Sequence, residues 1–81
     1  MINKNIAYYS EKDNTVMIRT DIMMPNTNGM SWNEHCKAIN EAFNMTILDR
    51  IAKFTPPQYM DDIIDLINKH ADAKIGEFTY A

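Results

Sequence analysis

A run of alternating side chains between Thr15 and Met23 is the clearest pattern in the chain. Val16, Ile18, Thr20 and Ile22 fall on one side, and Met17, Arg19, Asp21 and Met23 fall on the other. A period of two predicts a strand with one buried face. The aromatic segment NIAYYS at Asn5–Ser10 predicts an earlier strand. Because the short charged turn EKDN separates the two segments, the pair predicts a β-hairpin.

Helical spacing begins after the hairpin. The residues Trp32, Cys36, Ile39 and Phe43 recur on one face of a helix predicted over Trp32–Phe43, and we expect that face to enter the core. A second, shorter helix is predicted over Ile47–Phe54 with Thr46 as its N-cap.

A third helix is predicted after Thr55. Thr55 is expected to cap it, with Pro56 at the first helical position and Gln58 completing a capping box. Its apolar side chains fill one continuous arc, which predicts a core-facing surface. The arc consists of Tyr59, Met60, Ile63, Ile64, Leu66, Ile67, His70 and Ala71.

A last short strand is predicted at Ile75–Tyr80, where the sequence reads IGEFTY. The element order is therefore a β-hairpin, three helices and a C-terminal strand. This order predicts a single α+β domain over residues 1–81, with the helices packed on one face of a small antiparallel sheet.

The junction between the hairpin and the helices spans Asp21–Glu34, DIMMPNTNGMSWNE. Pro25 lacks an N–H group and restricts Met24 before it, so a strand should end there. The Asn28-Gly29 pair favours a turn. Ser31 and Glu34 stand three residues apart, which is the spacing of a capping box at a helix start.

Residues 21–29 of this junction, DIMMPNTNG, resemble the phosphoacceptor segment of response-regulator receiver domains. The resemblance implies that Asp21 is the acceptor and that Met24-Pro25 begins the following loop. It covers nine of the 81 residues. That family also has an acidic pair on an earlier strand, and no such pair precedes Asp21 here. A degenerate receiver-like phospho-switch at Asp21 is one alternative function.

The composition suits a folded protein with a protein partner. The hydrophobic fraction is 46% and the formal net charge is −3, with lysine and arginine scattered along the chain. This distribution argues against a nucleic-acid binder, which usually carries a basic patch. The single cysteine, Cys36, excludes an intrachain disulfide. There is no signal peptide and no long apolar run, so we expect a cytoplasmic protein that does not enter a membrane. The many methionines and asparagines suggest a phage or mobile element.

Candidate chemistry is sparse. His35, Cys36 and His70 are the residues that could suggest metal or thiol chemistry. His35 and Cys36 are neighbours on a helix and therefore point about 100° apart. Cys36 also lies on the face expected in the core, where a free cysteine behaves as a small hydrophobe. We therefore predict no catalytic residue, no metal and no cofactor, and we do not expect an enzyme.

Two surfaces are candidates for binding another protein. The first is the outer face of the hairpin together with the junction loop. Its predicted residues are Tyr9, Met17, Arg19, Met23, Met24, Asn26, Asn28 and Met30. The second is an acidic helix face formed by Asp61, Asp62, Asp65 and Asp72. Exposed methionine, tyrosine and arginine favour protein interfaces.

These surfaces predict a small non-enzymatic protein-binding module, such as an inhibitor, adaptor or regulator, and a homodimer is compatible with the small core. The sequence does not decide between the two faces. The alternative from another class is a nucleic-acid-associated regulator that uses Lys4, Lys12 and Arg19 of the hairpin.

Overall fold

The computed structural model describes residues 3–79. Strands β1 (Ala7–Ser10) and β2 (Thr15–Arg19) are followed by a 3₁₀ helix at Thr20–Met23. Helices α1 (Trp32–Phe43), α2 (Ile47–Phe54) and α3 (Pro57–Lys69) come next, and strand β3 (Lys74–Phe78) ends the described chain. The predicted α+β fold and its element order are confirmed.

The sheet is mixed rather than wholly antiparallel. Its strand order is β1-β2-β3, with β1 antiparallel to β2 and β3 parallel to β2. A tight turn joins the antiparallel pair, whereas three helices carry the chain from β2 back to the start of β3. Such a crossover allows the parallel pairing of Val16 with Ile75. The central strand β2 is therefore paired on both sides.

The hairpin turn is closed by Asn14. Its φ of 48° lies in the left-handed region, which asparagine tolerates better than most residues. The Asn14 backbone N–H donates to the Glu11 carbonyl oxygen at 3.3 Å, and the Tyr9 hydroxyl donates to Asn14 Oδ1 at 2.8 Å. The predicted hairpin is thus present with its turn at the expected position.

Strand β2 ends four residues earlier than its alternation predicts. The chain tightens after Arg19 into the 3₁₀ helix, which has about three residues per turn and so breaks the period of two. As a result, Ile22 and Met23 both turn into the core, and Met23 is 0% exposed. The prediction that Met23 lies on an outer, partner-binding face is wrong.

The core lies between the inner face of the sheet and helices α2 and α3. It is built from Ile6, Ala7, Val16, Ile18, Ile22, Met23, Ile51 and Ile63. Each large aliphatic side chain in this cluster contributes about 1.5–3 kcal/mol through its burial. No residue of α1 belongs to the cluster.

Two of the three predicted helix caps are confirmed. The Glu34 backbone N–H donates to Ser31 Oγ at 3.2 Å, and the Ser31 hydroxyl donates to the Glu34 carboxylate at 3.0 Å. At α2, the Asp49 backbone N–H donates to Thr46 Oγ1 at 3.1 Å. Each cap satisfies a backbone donor that the first helical turn leaves open.

The predicted cap of α3 is wrong. Pro56 is the N-cap, Pro57 occupies the first helical turn, and no side chain caps this end. The cause is the second proline, because a residue that precedes proline is pushed into extended backbone, and Pro56 has ψ 143°. Thr55 is buried instead, and its Oγ1 has no hydrogen-bond partner within the described residues.

The far end of α3 and the last strand also differ from expectation. The helix ends at Lys69, so His70 and Ala71 leave the predicted arc, and Ala71 is exposed. Ile64 within the arc is 43% exposed. Strand β3 begins at Lys74 and ends at Phe78, whereas Tyr80 of the predicted strand lies outside the described residues.

An ion pair between buried Arg50 and half-buried Glu77 joins α2 to the sheet. Arg50 of α2 is 2% exposed, and its Nη2 lies 2.7 Å from Glu77 Oε2 on β3. Its Nη1 donates to the other Glu77 oxygen at 3.3 Å, and the Thr20 hydroxyl donates to the same carboxylate at 3.0 Å. The Arg50 guanidinium lowers the pKa of Glu77, the Thr20 hydrogen bond lowers it further, and burial opposes both.

Removing the charge of Glu77 should destabilise the fold strongly. In Glu77→Gln the guanidinium of Arg50 stays buried without its anion. Because the Glu77 side chain is itself 31% exposed, the cost should be at most about 3 kcal/mol, the low end for a broken buried pair. That is a large part of the roughly 4–12 kcal/mol expected for a chain of this length. Urea denaturation followed by far-UV circular dichroism measures the change. Asp21→Asn is the matched control, because it breaks the exposed Arg19–Asp21 pair and should cost under about 1 kcal/mol. Equal losses in the two variants would contradict the structural role of Glu77.

The same pair predicts how stability depends on pH. Because the pKa of folded Glu77 is lowered from its ordinary value of 4.5, its stabilising contribution is present above that value. The contribution is lost as the pH falls through the folded pKa. The stability difference between the wild type and Glu77→Gln should therefore be constant near neutral pH and should shrink below pH 4.5. Urea titrations at a series of pH values test this, and a difference that grows on acidification would contradict it.

Candidate interaction surfaces

The structure separates the residues predicted to form one binding surface. Tyr9 faces inward, because Ala7 and Tyr9 alternate with Tyr8 along β1, and Ala7 is buried. The Tyr9 ring stacks on His70 with centroids 3.7 Å apart and an angle of 3° between the planes. The prediction that Tyr9 belongs to the outer hairpin face is therefore wrong, and Tyr8 occupies that face instead. Met23 lies in the core, as described above.

The outer face of the sheet carries an aromatic and thioether surface, the outer patch, formed by Tyr8, Met17, Arg19 and Phe78. Tyr8 pairs with Met17, and Phe78 pairs with Arg19. The Tyr8 and Phe78 rings meet across the sheet with centroids 5.3 Å apart at 53°. None of these side chains belongs to the core cluster on the helix side.

Gly76 determines where the Met17 side chain lies. The two residues are partners in the β2–β3 pair. A Cβ atom built on Gly76 would lie 3.0 Å from Met17 Sδ and 3.2 Å from Thr15 Cγ2. The Met17 thioether therefore lies over the bare backbone of β3, inside the outer patch. A glycine in a strand often marks such a close approach.

Arg19 is anchored at the edge of the outer patch. Its Nε donates to Asp21 Oδ1 at 2.6 Å, and its Nη1 donates to the Asn5 carbonyl oxygen at 3.2 Å. Its side chain keeps 22% of its surface exposed, whereas that of Asp21 keeps 67%. These bonds fix the position of the guanidinium, so a partner that binds it would not have to order the Arg19 side chain.

The loop from Met24 to Met30 leaves the sheet on the helix side. Met24 Sδ lies 3.8 Å from Arg50 Nη2, and Arg50 packs on that side. The loop is ordered by an Asn28 N–H bond to Asn26 Oδ1 at 3.0 Å, and Asn26, Asn28 and Met30 are exposed. Gly29 takes the positive φ of 84° that the turn requires. Met24 is half-buried, and the loop extends a different surface from the outer patch.

Helix α1 has the predicted bounds but not the predicted orientation. Its apolar stripe, Trp32, Cys36, Ile39 and Phe43 (the α1 stripe), was expected in the core. Trp32 is instead 76% exposed and Phe43 55% exposed, while Cys36 and Ile39 are half-buried. The helix meets the rest of the protein on another side, where Ala42 is buried and Ala38 half-buried one turn apart. Periodicity located the helix and its stripe correctly, but it did not show which side packs.

An apolar groove, the α2–α3 groove, runs between the two C-terminal helices. It encloses about 450 Å³. Its walls are Leu48, Ile51, Ala52, Met60, Ile64 and Ile67. Leu48 and Ile64 stand at its rim with 58% and 43% of their surface exposed. The predicted core arc of α3 therefore divides between the core and this groove.

The acidic face of α3 is shorter than predicted. Asp61 and Asp65 are exposed and Asp62 is half-buried. Asp72 lies beyond the end of the helix at Lys69, in the turn before β3. Its carbonyl oxygen accepts a hydrogen bond from Asn14 Nδ2 at 3.4 Å. The prediction that Asp72 extends the helical face is wrong.

The residues considered for chemistry are held apart. His35 Nδ1 is hydrogen-bonded to Thr27 Oγ1 at 2.8 Å, and its ring stacks on Trp32. His70 stacks on Tyr9, and Cys36 is half-buried. Within residues 3–79, no group of three or more His, Cys, Asp or Glu side chains could hold a metal ion. Asp21 lies in the 3₁₀ helix rather than at the end of a strand.

Comparison with known protein families, curated proteins and solved structures found no match for this chain. In the described part of the chain, every helix is too short or too polar to cross a membrane.

Replacing Gly76 tests the position of Met17. In Gly76→Ala the added methyl group forces the Met17 thioether to move by a few tenths of an ångström. Because the end of the methionine side chain is flexible, it can move aside. We therefore expect the free energy of unfolding to fall by at most about 1–3 kcal/mol, as for modest overpacking. The Met17 methyl signal in a ¹³C–¹H spectrum should shift. The control is Gly76→Ala introduced into Met17→Ala: with the thioether gone, it should lower the stability of Met17→Ala by much less than it lowers that of the wild type. An equal loss in both backgrounds would show that Thr15 or the backbone is the true obstacle.

Proposed function

We propose that this chain is a small non-enzymatic protein-binding module, an inhibitor, adaptor or regulator, and that it binds another protein through the outer patch. The observation that carries the proposal is the continuous surface of Tyr8, Met17 and Phe78 on the side of the sheet opposite the helices, with Arg19 at its edge.

The composition of the outer patch supports this proposal. Tyrosine, phenylalanine, methionine and arginine are the residues enriched at protein interfaces. The two aromatic rings contact each other, so little freedom is lost when a partner covers them. The thioether of Met17 adapts to the shape of a partner surface, as exposed methionines do in other binding proteins.

The ordered cation favours a partner with an acidic group near an apolar surface. Arg19 already contacts Asp21 and Asn5, and a carboxylate from a partner would approach a guanidinium that needs no further ordering. Such a contact at the rim of an interface affects the association rate more than the affinity.

Substitutions in the outer patch should weaken partner capture without unfolding the protein. The partner is first captured from lysate of the source cell, identified by mass spectrometry and purified. Tyr8→Ala and Met17→Ala should then each raise its Kd at least about tenfold, because truncating a central anchor costs more than about 1.4 kcal/mol. Arg19→Ala should mainly lower the association rate and its dependence on salt. Surface plasmon resonance measures all three.

Met30→Ala is the matched control, since Met30 is an exposed methionine that belongs to the loop and not to the outer patch. It should bind as the wild type does. Thermal denaturation of each variant separates binding from folding. An unchanged Kd in Tyr8→Ala and Met17→Ala, or a loss of binding that follows the loss of stability, would overturn the outer patch as the binding surface.

A further inference from the structure

The α1 stripe has the form of a recognition helix. Trp32, Cys36, Ile39 and Phe43 stand at i, i+4, i+7 and i+11, so they lie along one line of the helix surface. The Phe43 ring lies 5.4 Å from the guanidinium carbon of buried Arg50, yet Trp32 and Phe43 still keep 76% and 55% of their surface exposed. An amphipathic helix that binds an apolar groove uses anchors at this spacing.

The same chain carries a groove suited to such a helix. The α2–α3 groove is walled by aliphatic side chains and one methionine, and its volume of about 450 Å³ can receive large side chains. The chain thus holds both halves of a helix-in-groove contact.

We infer that the chain forms a symmetric homodimer in which the α1 stripe of each copy docks into the α2–α3 groove of the other. This inference concerns different residues from the outer patch and does not rest on the proposed function. In a reciprocal arrangement both stripes and both grooves are covered. If only one stripe docked into one groove, the other stripe and the other groove would stay uncovered. Further copies could then add to both ends and form an open chain.

The exposed apolar area supplies more than half of what a standard dimer interface buries. Aromatic side chains bury about 150–250 Å², so the exposed parts of Trp32 and Phe43, 76% and 55%, amount to roughly 300 Å². With the exposed parts of Leu48 and Ile64, each copy offers roughly 500 Å² of apolar surface before polar edges are counted, against about 800 Å² per partner in a standard interface. Half-buried Cys36, Ile39 and Met60 and the polar flanks of α1 would add to this area in a dimer.

Oligomeric state is the first test. Light scattering coupled to gel filtration, on the purified wild type from low to high micromolar concentration, should give twice the 9.4 kDa mass of the chain. Trp32→Ala removes an anchor, and Leu48→Asp places a charge at the groove rim. Each should halve the measured mass. Gln58→Asp is the matched control, because it adds the same charge to an exposed site of α3 outside the groove and should leave the dimer intact.

Mixing the two interface variants is the decisive test. Trp32→Ala retains its groove, and Leu48→Asp retains its α1 stripe, so together they can rebuild one of the two contacts. Trp32 is the only tryptophan of the chain, so tryptophan fluorescence of the mixture, excited where tyrosine does not absorb, comes from Leu48→Asp alone. Adding Trp32→Ala should shift that emission to shorter wavelength as Trp32 enters the groove of the other variant. Adding a Trp32→Ala/Leu48→Asp double variant, which has neither half, should cause no shift.

Three results would overturn the inference. One is a wild type that stays monomeric at every concentration. Another is a dimer that survives Leu48→Asp with native far-UV circular dichroism, since the groove would then be unused. The third is a dimer lost in Tyr8→Ala, which would make the outer patch the contact between copies. These measurements use the purified chain alone. A negative outcome would therefore overturn the dimer but not the proposal that the outer patch binds another protein, which is tested separately by capture from lysate.

Discussion

Arg50 carries a full positive charge in a site that is 2% exposed, and several parts of the fold converge on it. It belongs to α2, and its guanidinium binds Glu77 of β3. Its Nε lies 3.5 Å from the Met23 carbonyl oxygen, and the Phe43 ring lies 5.4 Å from its guanidinium carbon. Removing such an ion from water costs several kcal/mol, so the arrangement is stable only while these partners stay in place. The 3₁₀ helix, the end of α1 and the parallel strand β3 are thereby held against α2.

This constraint explains why α1 can be well formed and yet contribute no residue to the hydrophobic cluster between the sheet and helices α2 and α3. Its N-terminus is capped by Ser31 and Glu34, and its C-terminal turn rests on Arg50 through Phe43. Two alanines provide its closest packing, which leaves the large side chains of the stripe on the outside. A surface helix normally buries its largest apolar residues, so a stripe left open marks a surface that another molecule can cover.

The molecule therefore has three distinct apolar surfaces: the outer patch on the sheet, the α1 stripe and the α2–α3 groove. If the stripe and groove are used between copies, a dimer presents two outer patches. Two linked patches would bind a repeated or dimeric partner more tightly than one patch alone, through effective concentration rather than through new contacts.

Local rules applied to the sequence determined the element types, their order, the α+β class, and the caps at Ser31 and Thr46. These features depend on neighbouring residues, whose spacing is visible in the chain. Tertiary structure decided which side of β1 and of α1 is buried, whereas the alternation of β2 had already indicated its buried Val16 and Ile18 face. Alternation along AYYS could not show that Tyr8 rather than Tyr9 faces outward, because that choice depends on the pairing with β2. The period of two through Met23 was overridden when the 3₁₀ turn brought Ile22 and Met23 into the core. The apolar stripe of α1 was predicted to enter the core because periodicity shows that a helix is amphipathic. It does not show what its apolar face contacts. The parallel pairing of β3 and the Arg50–Glu77 bond join residues far apart in the chain, and only their packing brings them together.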